Sequence, residues 1–283
     1  MIEIRPSTAA PAMIESYLDL FRRCFPSAVH YTNNYLRWLY AENPAGHVVG
    51  FDAFDDDHLV AHYVCIPCPV SLDGQTRMGL LSLNTATDPA YQGRGLFVRL
   101  ANATYEKAAG EGYHLVFGVA NANSTHGFIN RLGFQHVCSL LALAGIGPLS
   151  FDPDRNIENE SRFRRAWTPD LYRWRLANEA NPVFTSHFAG QTSFSARTSI
   201  PGVVCWAERH VGEAINRTGH PPHVARIFLG CFPRDVPRPR FYLSIPQRLR
   251  PSPLNLIYRP LVSAPSTIDP ASVFFDFLDF DAF

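Results

Sequence analysis

Apolar residues recur along the first 40 positions with the spacing of amphipathic helices. One set follows the i, i+3, i+4, i+7, i+11 pattern of a helix with a single buried face: Ile14, Tyr17, Leu18, Phe21 and Phe25. We expect this helix to end at Pro26, because proline disrupts a helix interior. A second helix is predicted around residues 35–40, ending near Pro44 and Gly46.

From residue 48 the pattern changes to that of strands. Residues 48–54, 58–66 and 70–72 predict antiparallel strands, with aspartate-rich turns between them. Three consecutive aspartates occupy residues 55–57. A solvated hairpin turn explains these carboxylates better than a cation site does, because no fourth ligand follows nearby.

A strand, loop, helix and strand come next in the chain. Residues 78–87 predict a strand, and a helix runs to about Ala109. The buried face of that helix is predicted to carry Phe97, Leu100, Ala101, Thr104 and Ala108. A strand at 114–119, a helix at 124–132 and a strand at 134–143 complete a mixed α/β unit near residue 147.

The second half of the chain contains a short echo of the first. Arg173-Trp174 followed by Asn181-Pro182 resembles Arg37-Trp38 followed by Asn43-Pro44. Both signatures precede strand-like segments, in the second half at 184–188, 192–197, 203–208, 225–229, 241–245, 254–258 and 273–277. We therefore predict a duplication: a domain at 1–147, a linker at 148–165 and a second domain at 166–283.

Composition narrows the class of protein. The 283 residues are 46% hydrophobic and 18% charged, which indicates a globular chain, not a disordered one. The 25 basic residues balance the 25 acidic residues, so nucleic acid is not expected as a partner. Without a leader or an apolar run of about 18 residues, we expect a soluble cytoplasmic protein with no membrane span.

Six cysteines are spread through the chain, and we expect reduced thiols instead of a disulfide framework. Cys65 and Cys68 have the spacing of a metal or redox pair. No second pair follows at zinc-finger spacing, and the segment has the pattern of an apolar strand. We therefore expect no metal.

The loop Tyr91-Gln92-Gly93-Arg94-Gly95-Leu96-Phe97 is the main candidate for chemistry. Two glycines between a strand and a helix let backbone N–H groups converge on an anion, and the helix N-terminus adds partial positive charge. A dinucleotide-binding G-x-G-x-x-G motif is excluded because Val98 replaces the last glycine.

With its neighbours, this loop resembles motif A of the GNAT (Gcn5-related N-acetyltransferase) superfamily. Gln92 and Gly95 match the motif, while Phe97 stands at its last Gly/Ala position, as in the branch with a G-x-G-L-F loop. Residues 117–124 and 131–134 resemble motif B. The resemblance covers residues 1–147 and implies an α/β mixed-sheet GNAT fold, with the second half as a GNAT-like lobe that lacks the pyrophosphate loop and shapes the acceptor pocket.

The resemblance also implies a donor and its binding residues. Acetyl-CoA or another short acyl-CoA would be the donor, with the loop holding its pyrophosphate and the preceding strand pairing with its pantetheine arm. The residues carried over are Thr85, Ala86, Thr87, Gln92, Gly93, Arg94, Gly95, Leu96, Phe97 and Asn123. Arg94 either contacts a phosphate or is solvated.

Chemistry in this family is attack of an amine on the thioester, which requires a base, oxyanion donors and an acid for the thiolate. The position of the usual acidic tyrosine holds Ile129. Asn84 stands where a carboxylate often lies and can orient a substrate or water but cannot act as a base. His126 is the candidate base or a plain helix-start residue, and Asp88 is either a base or a turn cap.

The implied function is N-acyl transfer to a small primary amine by a monomer or homodimer. Analogy within the resembling branch points to a nucleotide-linked amino sugar as acceptor. The C-terminal carboxylates Asp276, Asp279 and Asp281 would either recognise a cationic amine or lie on the polar face of an edge strand. The alternative functions are a peptide-bond-forming tandem-GNAT transferase and a non-catalytic acyl-CoA sensor.

Overall fold

A computed structural model describes residues 1–149, 157–188, 190–211, 215 and 218–280 of the chain. Its helices are α1 (Pro11–Cys24), α2 (Asn33–Tyr40), α3 (Leu96–Gly110), α4 (Ala122–Leu132), α5 (Ile157–Glu160) and α6 (Pro169–Leu176). Its strands are β1 (Ile2–Pro6), β2 (Val49–Asp55), β3 (His58–Leu72), β4 (Gln75–Thr87), β5 (Leu115–Ala120), β6 (Gln135–Ser139), β7 (Leu141–Gly145), β8 (Phe163–Arg165), β9 (Val183–Phe188), β10 (Gln191–Arg197), β11 (Val203–Arg209), β12 (Ala225–Cys231), β13 (Tyr242–Ser244), β14 (Asn255–Pro260) and β15 (Phe275–Asp276).

The strands form two mixed sheets, which confirms the α/β fold class. The first sheet has the order β1-β2-β3-β4-β5-β14-β6, with β8 pairing on β3. The second has the order β13-β7-β12-β11-β10-β9, with β15 pairing on β12. Parallel pairs occur once in each sheet path, between β4 and β5 and between β11 and β12.

The two sheets exchange strands. The predicted strand at 134–143 breaks at Leu140 into β6, which stays in the first sheet, and β7, which pairs with β12 and β13 of the second. In return, β14 from the second half of the chain lies between β5 and β6. The boundary between the sheets therefore does not follow the division at residue 147, and that division stays a prediction.

The segment between the two predicted domains also takes part in the first sheet. Within the predicted linker at 148–165, residues 150–156 lie outside the described residues. At its end, β8 pairs antiparallel with the last three residues of β3, where Val70 faces Arg165.

Strand β3 is longer than its pattern predicts. Residues 58–66 and 70–72 were expected as separate strands, but a single strand runs through Pro67 and Pro69. Pairing with β2 ends at Cys65, and pairing with β8 begins only at Val70. The prolines therefore occupy a stretch with one free edge, where a missing N–H costs no ladder bond.

The amphipathic helices pack as their patterns predict. Ile14, Tyr17, Leu18 and Phe21 of α1 are buried in the core of the first sheet. On the opposite face of that sheet, α3 buries Leu100, Ala101, Thr104 and Ala108. The core therefore has helices on both faces of the sheet.

Helices α2 and α6 are related by an approximate two-fold symmetry. Thr32 and Thr168 cap them, each accepting a hydrogen bond from a backbone N–H three residues later. Trp38 and Trp174 stack with ring centroids 4.5 Å apart and planes 11° apart. Each indole Nε1 donates to the other tryptophan's carbonyl, at 2.7 and 2.9 Å. This symmetry supports the duplication, which stays a prediction.

The C-terminal carboxylates do not form an open amine pocket. Asp276 and Asp279 are each 1% exposed, and both accept from the buried guanidinium of Arg209 at 2.7–2.9 Å. Neither of the two readings considered for them, a pocket for a cationic amine or an edge-strand face, is correct, because the cation is part of the chain itself. Asp281 lies outside the described residues.

The cysteines within the described residues are free thiols, and burial raises the pKa of Cys65 to about 12 and of Cys68 to about 11. Among the described residues, no group of three or more His, Cys, Asp or Glu side chains is placed to hold a metal ion. No helix in the described part is long and apolar enough to cross a membrane.

The tryptophan pair generates a prediction about stability. We expect Trp38→Phe and Trp174→Phe each to destabilise the protein by about 1–3 kcal/mol, because each removes an indole donor from the other tryptophan's carbonyl and part of a stacked ring. The double variant should depart from additivity by about 0.5 kcal/mol or more, since the two rings share one contact. Urea unfolding of the four proteins measures this. Pairing Trp174→Phe with Trp206→Phe, in a separate apolar cluster, serves as the additive control; additivity in both pairs would contradict the coupling.

Candidate functional site

A cleft opens where strands β4 and β5 separate. Their parallel pairing runs from Gly79 opposite Leu115 to Ser82 opposite Gly118. Beyond that point β4 continues to Thr87 and β5 to Ala120, and no pairing joins them in the described structure. The backbone of β4 from Leu83 to Thr87 thus presents one edge to the cleft while β3 pairs with the other.

Asn84 forms a bulge in β4 at this cleft. Leu83 pairs with Val64 and Ala86 pairs with His62, so Asn84 and Thr85 together stand opposite Tyr63. Asn84 has a φ of 47°, in the left-handed region that asparagine tolerates better than most residues. A bulge redirects a side chain relative to the regular strand, which here brings Asn84 to the cavity described below.

A chain of buried polar groups runs inward from Asn84. Its Nδ2 donates to the Tyr40 hydroxyl at 3.0 Å, and Tyr40 lies 2.9 Å from Nε2 of His62. His62 Nδ1 lies 2.6 Å from Oδ1 of Asp52. Tyr40, His62 and Asp52 are fully buried. Asp52 also accepts from Ser7 and Tyr17, each at 2.8 Å.

The carboxylate gives this chain a direction when His62 is neutral. An ionised Asp52 can only accept, so His62 Nδ1 donates to it, and the unprotonated Nε2 of a neutral imidazole accepts from Tyr40. Burial raises the pKa of Tyr40 well above its usual value, which keeps its hydroxyl protonated as the donor. Tyr40 then accepts from Asn84 Nδ2, which leaves the Asn84 carbonyl oxygen directed away from the chain.

A cavity of about 280 Å³ adjoins Asn84. The side chains that line it come from the α1–α2 connection, from β4 and β5, and from the C-terminal segment: His30, Tyr31, Leu81, Ser82, Leu83, Asn84, Val119 and Phe280. The Tyr31 hydroxyl donates to Asn84 Oδ1 over a long 3.4 Å. Burial of part of the ring lowers the pKa of His30, so at neutral pH its imidazole is uncharged and able to accept a proton.

The glycine loop follows β4 and leads into α3. Gly93 and Gly95 have φ values of 75° and 71°, a region that costs other residues about 1–2 kcal/mol. A Cβ on either glycine would meet nothing within 4 Å, so the loop has an open outer face. Gly95 is the N-cap of α3 and supplies no side-chain acceptor. The first N–H groups of α3 therefore remain available to an anion.

The other loop residues hold its shape. The Arg94 guanidinium lies 4.6 Å above the Tyr91 ring and donates to the Ala90 carbonyl at 3.2 Å. Gln92 Nε2 donates to the Thr87 carbonyl at 3.4 Å. Arg94 is exposed and is held by the loop itself. Whether it contacts a phosphate or is only solvated stays a prediction.

Leu96 and Phe97 turn inward from the same loop. Leu96 is 2% exposed, and the Phe97 ring packs edge-on against Phe128 with centroids 5.2 Å apart. A Cβ on Gly127 of α4 would lie 3.0 Å from the Phe97 ring. The Phe97 side chain therefore packs α3 against α4. Only the backbone of Phe97 lies at the open N-terminus of α3.

Asn123 and His126 lie on α4, away from the cavity. Asn121 caps this helix by accepting from the N–H groups of Asn123 and Ser124, each at 3.0 Å. The side chains of Asn123 and His126 are exposed, and neither lines the cavity at Asn84. Their roles in cofactor binding and catalysis stay predictions.

Asp88 is held as a turn cap. One carboxylate oxygen accepts from the N–H of Ala90 at 3.0 Å, and the other accepts from Arg23 at 2.7 Å. Burial pushes the pKa of Asp88 upward, but these hydrogen bonds outweigh burial and leave the pKa lowered. An ionised carboxylate with both oxygens engaged is a poor base. The geometry therefore supports the cap alternative.

Sequence reasoning missed most of the polar groups near the cavity. Asp52 and His62 face each other across β2 and β3, each between apolar neighbours in its strand. A hairpin closed at 55–57 brings such positions opposite each other, so one titratable residue inside each mainly apolar strand was the available signal. His30 carried no comparable signal, because it lies in an irregular connection.

Comparisons with known proteins place this geometry in a family. The family model described as "Acetyltransferase (GNAT) domain" matches residues 3–137. No curated protein matches the chain in sequence.

Solved structures share the fold over most of the chain. A GCN5-related N-acetyltransferase from Anabaena variabilis ATCC 29413 is 9% identical with a TM-score of 0.63, over 90% of this chain and 72% of that one. A conserved Enterococcus faecalis V583 protein described as a probable N-acyltransferase is 11% identical with a TM-score of 0.62, and the match covers 92% of this chain and 73% of that one. Eis1 from Mycobacterium abscessus is 14% identical with a TM-score of 0.58, and the match covers 90% of this chain and 73% of that one. At these identities the likeness concerns the fold alone.

The family match covers the separating strands, the bulge at Asn84 and the glycine loop. The chain therefore carries a GNAT acetyltransferase domain at residues 3–137 and is an N-acyltransferase that uses an acyl-CoA donor.

Proposed function

We propose that the chain transfers an acetyl or other short acyl group from coenzyme A directly to a small primary amine bound in the cavity at Asn84. The observation that carries this proposal is the separation of β4 from β5 beside an open glycine loop. A thioester lying in that cleft would have its pyrophosphate at the start of α3 and its reactive carbon next to the 280 Å³ cavity.

The donor is held mainly by backbone groups in this proposal. The pyrophosphate accepts from N–H groups between Gln92 and Phe97, and the pantetheine arm pairs with the free edge of β4 at Thr85–Thr87. Because N–H groups of a preformed loop need no rearrangement, this site binds the cofactor with little ordering cost. Arg94 neutralises phosphate charge, and Asn123 contacts the cofactor from α4.

The acceptor amine is held by Asn84. The carbonyl oxygen of Asn84, directed away from Tyr40, accepts a hydrogen bond from the amine and aligns its lone pair with the thioester carbon. His30 takes up the proton of the ammonium form. The amine nitrogen then bonds to the carbonyl carbon and the C–S bond of the tetrahedral intermediate breaks. The surplus proton on the nitrogen passes through water to the released thiolate, since Ile129 stands at the usual tyrosine position.

The acceptor class separates this proposal from its alternatives. The nucleotide-linked amino sugar stays a prediction, as do the peptide-forming transferase, the acyl-CoA sensor, the cytoplasmic location and the oligomeric state. Thiol release from acetyl-CoA over a panel of amino sugars, amino acids and simple amines tests the alternative acceptors and the sensor together. Absence of thiol release with every amine, alongside tight acetyl-CoA binding, would support the sensor instead.

Donor binding at the loop is tested with a matched pair of glycine variants. We expect acetyl-CoA at 100 times its Kd to stabilise the protein by about 2.7 kcal/mol, and Gly95→Trp to abolish this because the indole fills the open face of the loop. Gly112→Trp, at the far end of α3 with a φ of 85° and open space around it, carries similar backbone strain and should keep the shift. Thermal unfolding and calorimetric titration measure both. No shift with any CoA ester in the unmodified protein would contradict the proposal.

The base is tested by a second pair, His30→Gln and His126→Gln. We expect His30→Gln to lower kcat/KM about 100-fold, while His126→Gln changes it less than twofold. Since the pKa of His30 is lowered, activity of the unmodified enzyme should fall only below about pH 6.5, the ordinary histidine value, as the imidazole protonates. That acid limb should be absent in His30→Gln. The reverse ranking of the two variants would assign the base to His126.

The positioning role of the buried chain is tested with Tyr40→Phe. This variant removes the acceptor of Asn84 Nδ2 and frees the amide to rotate, so we expect about a tenfold loss in kcat/KM for the amine, with KM for acetyl-CoA unchanged. Tyr258→Phe, which loses a buried hydroxyl bonded to Pro265 at 2.7 Å in the same sheet, is the control and should leave both constants unchanged. Equal losses for both substrates, or in both variants, would indicate a general structural effect.

A further inference from the structure

Two buried arginines lie next to the acceptor cavity. Arg165 ends β8 and Arg175 lies in α6, and each side chain is 3% exposed. Both belong to the part of the chain beyond the GNAT match at residues 3–137, and the proposed reaction uses neither. Buried arginines are normally paired with carboxylates or with several hydrogen-bond acceptors.

These two arginines lack such partners. Nε and Nη2 of Arg165 and both Nη atoms of Arg175 have no hydrogen-bond acceptor within the described structure. Arg165 Nη1 donates to the Leu278 carbonyl over 3.5 Å. The Arg165 guanidinium lies 4.2 Å above the Trp167 ring, which offsets only part of the cost of burying the charge.

The neighbouring carboxylates are already engaged. Asp276 and Asp279 bind Arg209 at 2.7–2.9 Å, and no described carboxylate lies within 4.0 Å of either Arg165 or Arg175. Burial, followed by the charge of Arg165, lowers the pKa of Arg175 to about 10. Arg175 therefore stays cationic at neutral pH.

These arginines line a narrow space that adjoins the acceptor cavity. Leu81, Leu83 and Phe280 form part of the wall of both. The space at the arginines is about 10 Å³, against about 280 Å³ for the acceptor cavity, and 10 Å³ is roughly what one water molecule needs. A carboxylate enters this space only if side chains of the shared wall move apart, and the rest of the ligand then lies in the larger cavity next to Asn84.

We propose that Arg165 and Arg175 bind the carboxylate of the acceptor, so that the acceptor is an amino acid or a related amino carboxylate with its amine at Asn84. Guanidinium groups match the planar carboxylate with paired N–H donors, and a carboxylate needs less room at the arginines than a phosphate or a sugar ring. This inference rests on the proposed acyl transfer for the placement of the amine; the anion site itself does not depend on it.

The first experiment tests the anion site without any reaction. Thermal unfolding is measured in sodium acetate and in sodium chloride with acetamide at equal ionic strength. We expect acetate to raise Tm by several degrees in the unmodified protein and not in Arg175→Met. Without acetate, Arg175→Met should be at least as stable as the unmodified protein, because an unpaired buried charge has been removed. Arg173→Met, on the exposed face of the same helix, should keep the acetate effect.

The second experiment tests the substrate class. Thiol release from acetyl-CoA is measured with glycine, β-alanine and 4-aminobutyrate and with their carboxamides. We expect the carboxylates to be preferred at least tenfold in kcat/KM, and the preference to disappear in Arg175→Met with acetyl-CoA binding unchanged. An acetate shift that is absent, or equal in Arg175→Met, overturns the anion site. An acetate shift without any carboxylate preference overturns the assignment of the acceptor, and failure of acetyl-CoA to bind overturns the proposed function alone.

Discussion

The site depends on the separation of two parallel strands, β4 and β5. Where their facing edges are unpaired, each strand still pairs with another strand along its opposite edge. Strand β4 keeps its pairing with β3 as far as Thr87, past the point where β5 leaves it. Strand β5 is paired with β14 along its whole length, from Leu115 to Ala120. Because each strand has one full ladder, the cleft costs backbone hydrogen bonds along only a few residues. Strand β14 comes from the second half of the chain, so the cleft of the first half needs the second half to exist.

The bulge at Asn84 connects this backbone arrangement to chemistry. Its left-handed φ of 47° carries a small conformational cost, which the hydrogen bond to Tyr40 helps to offset. Behind Tyr40, Asp52 collects donors from Ser7, Tyr17 and His62, which is the condition under which a buried carboxylate is tolerated. With His62 neutral, these donors end on one acceptor-only group and have a single direction. In that arrangement the Tyr40 hydroxyl accepts from Asn84 Nδ2, which orients the amide.

Local patterns in the sequence predicted the elements well and their pairing less well. The helical face from Leu100 to Ala108, the glycine loop and the strands of the second half all correspond to described elements, because each depends on neighbouring residues. The exchange of β7 and β14 was not predicted, since nothing local distinguishes a strand that stays in its sheet from one that crosses. Leu140 lies between Ser139 and the apolar residues 141–144, and neither a proline nor a glycine marks the break there. Asp276 and Asp279 were misread for a similar reason, because their partner, Arg209, is about 70 positions away.

The two halves resemble each other in framework and differ in what they bury. Both contain a threonine-capped helix that bears a stacked tryptophan, and both continue into a sheet with a parallel strand pair. Between β11 and β12, where the first half has its loop and α3, the described residues 210–211, 215 and 218–224 form no helix. The second half instead contributes buried charge beside the cavity: Arg209 matched by two carboxylates, and Arg165 and Arg175 without a match. A charge left unmatched in an apolar interior is stable only if something else offsets it. The proposed binding of an anionic acceptor by the second half, beside the acyl donor held by the first, would offset the charge of the unpaired arginines.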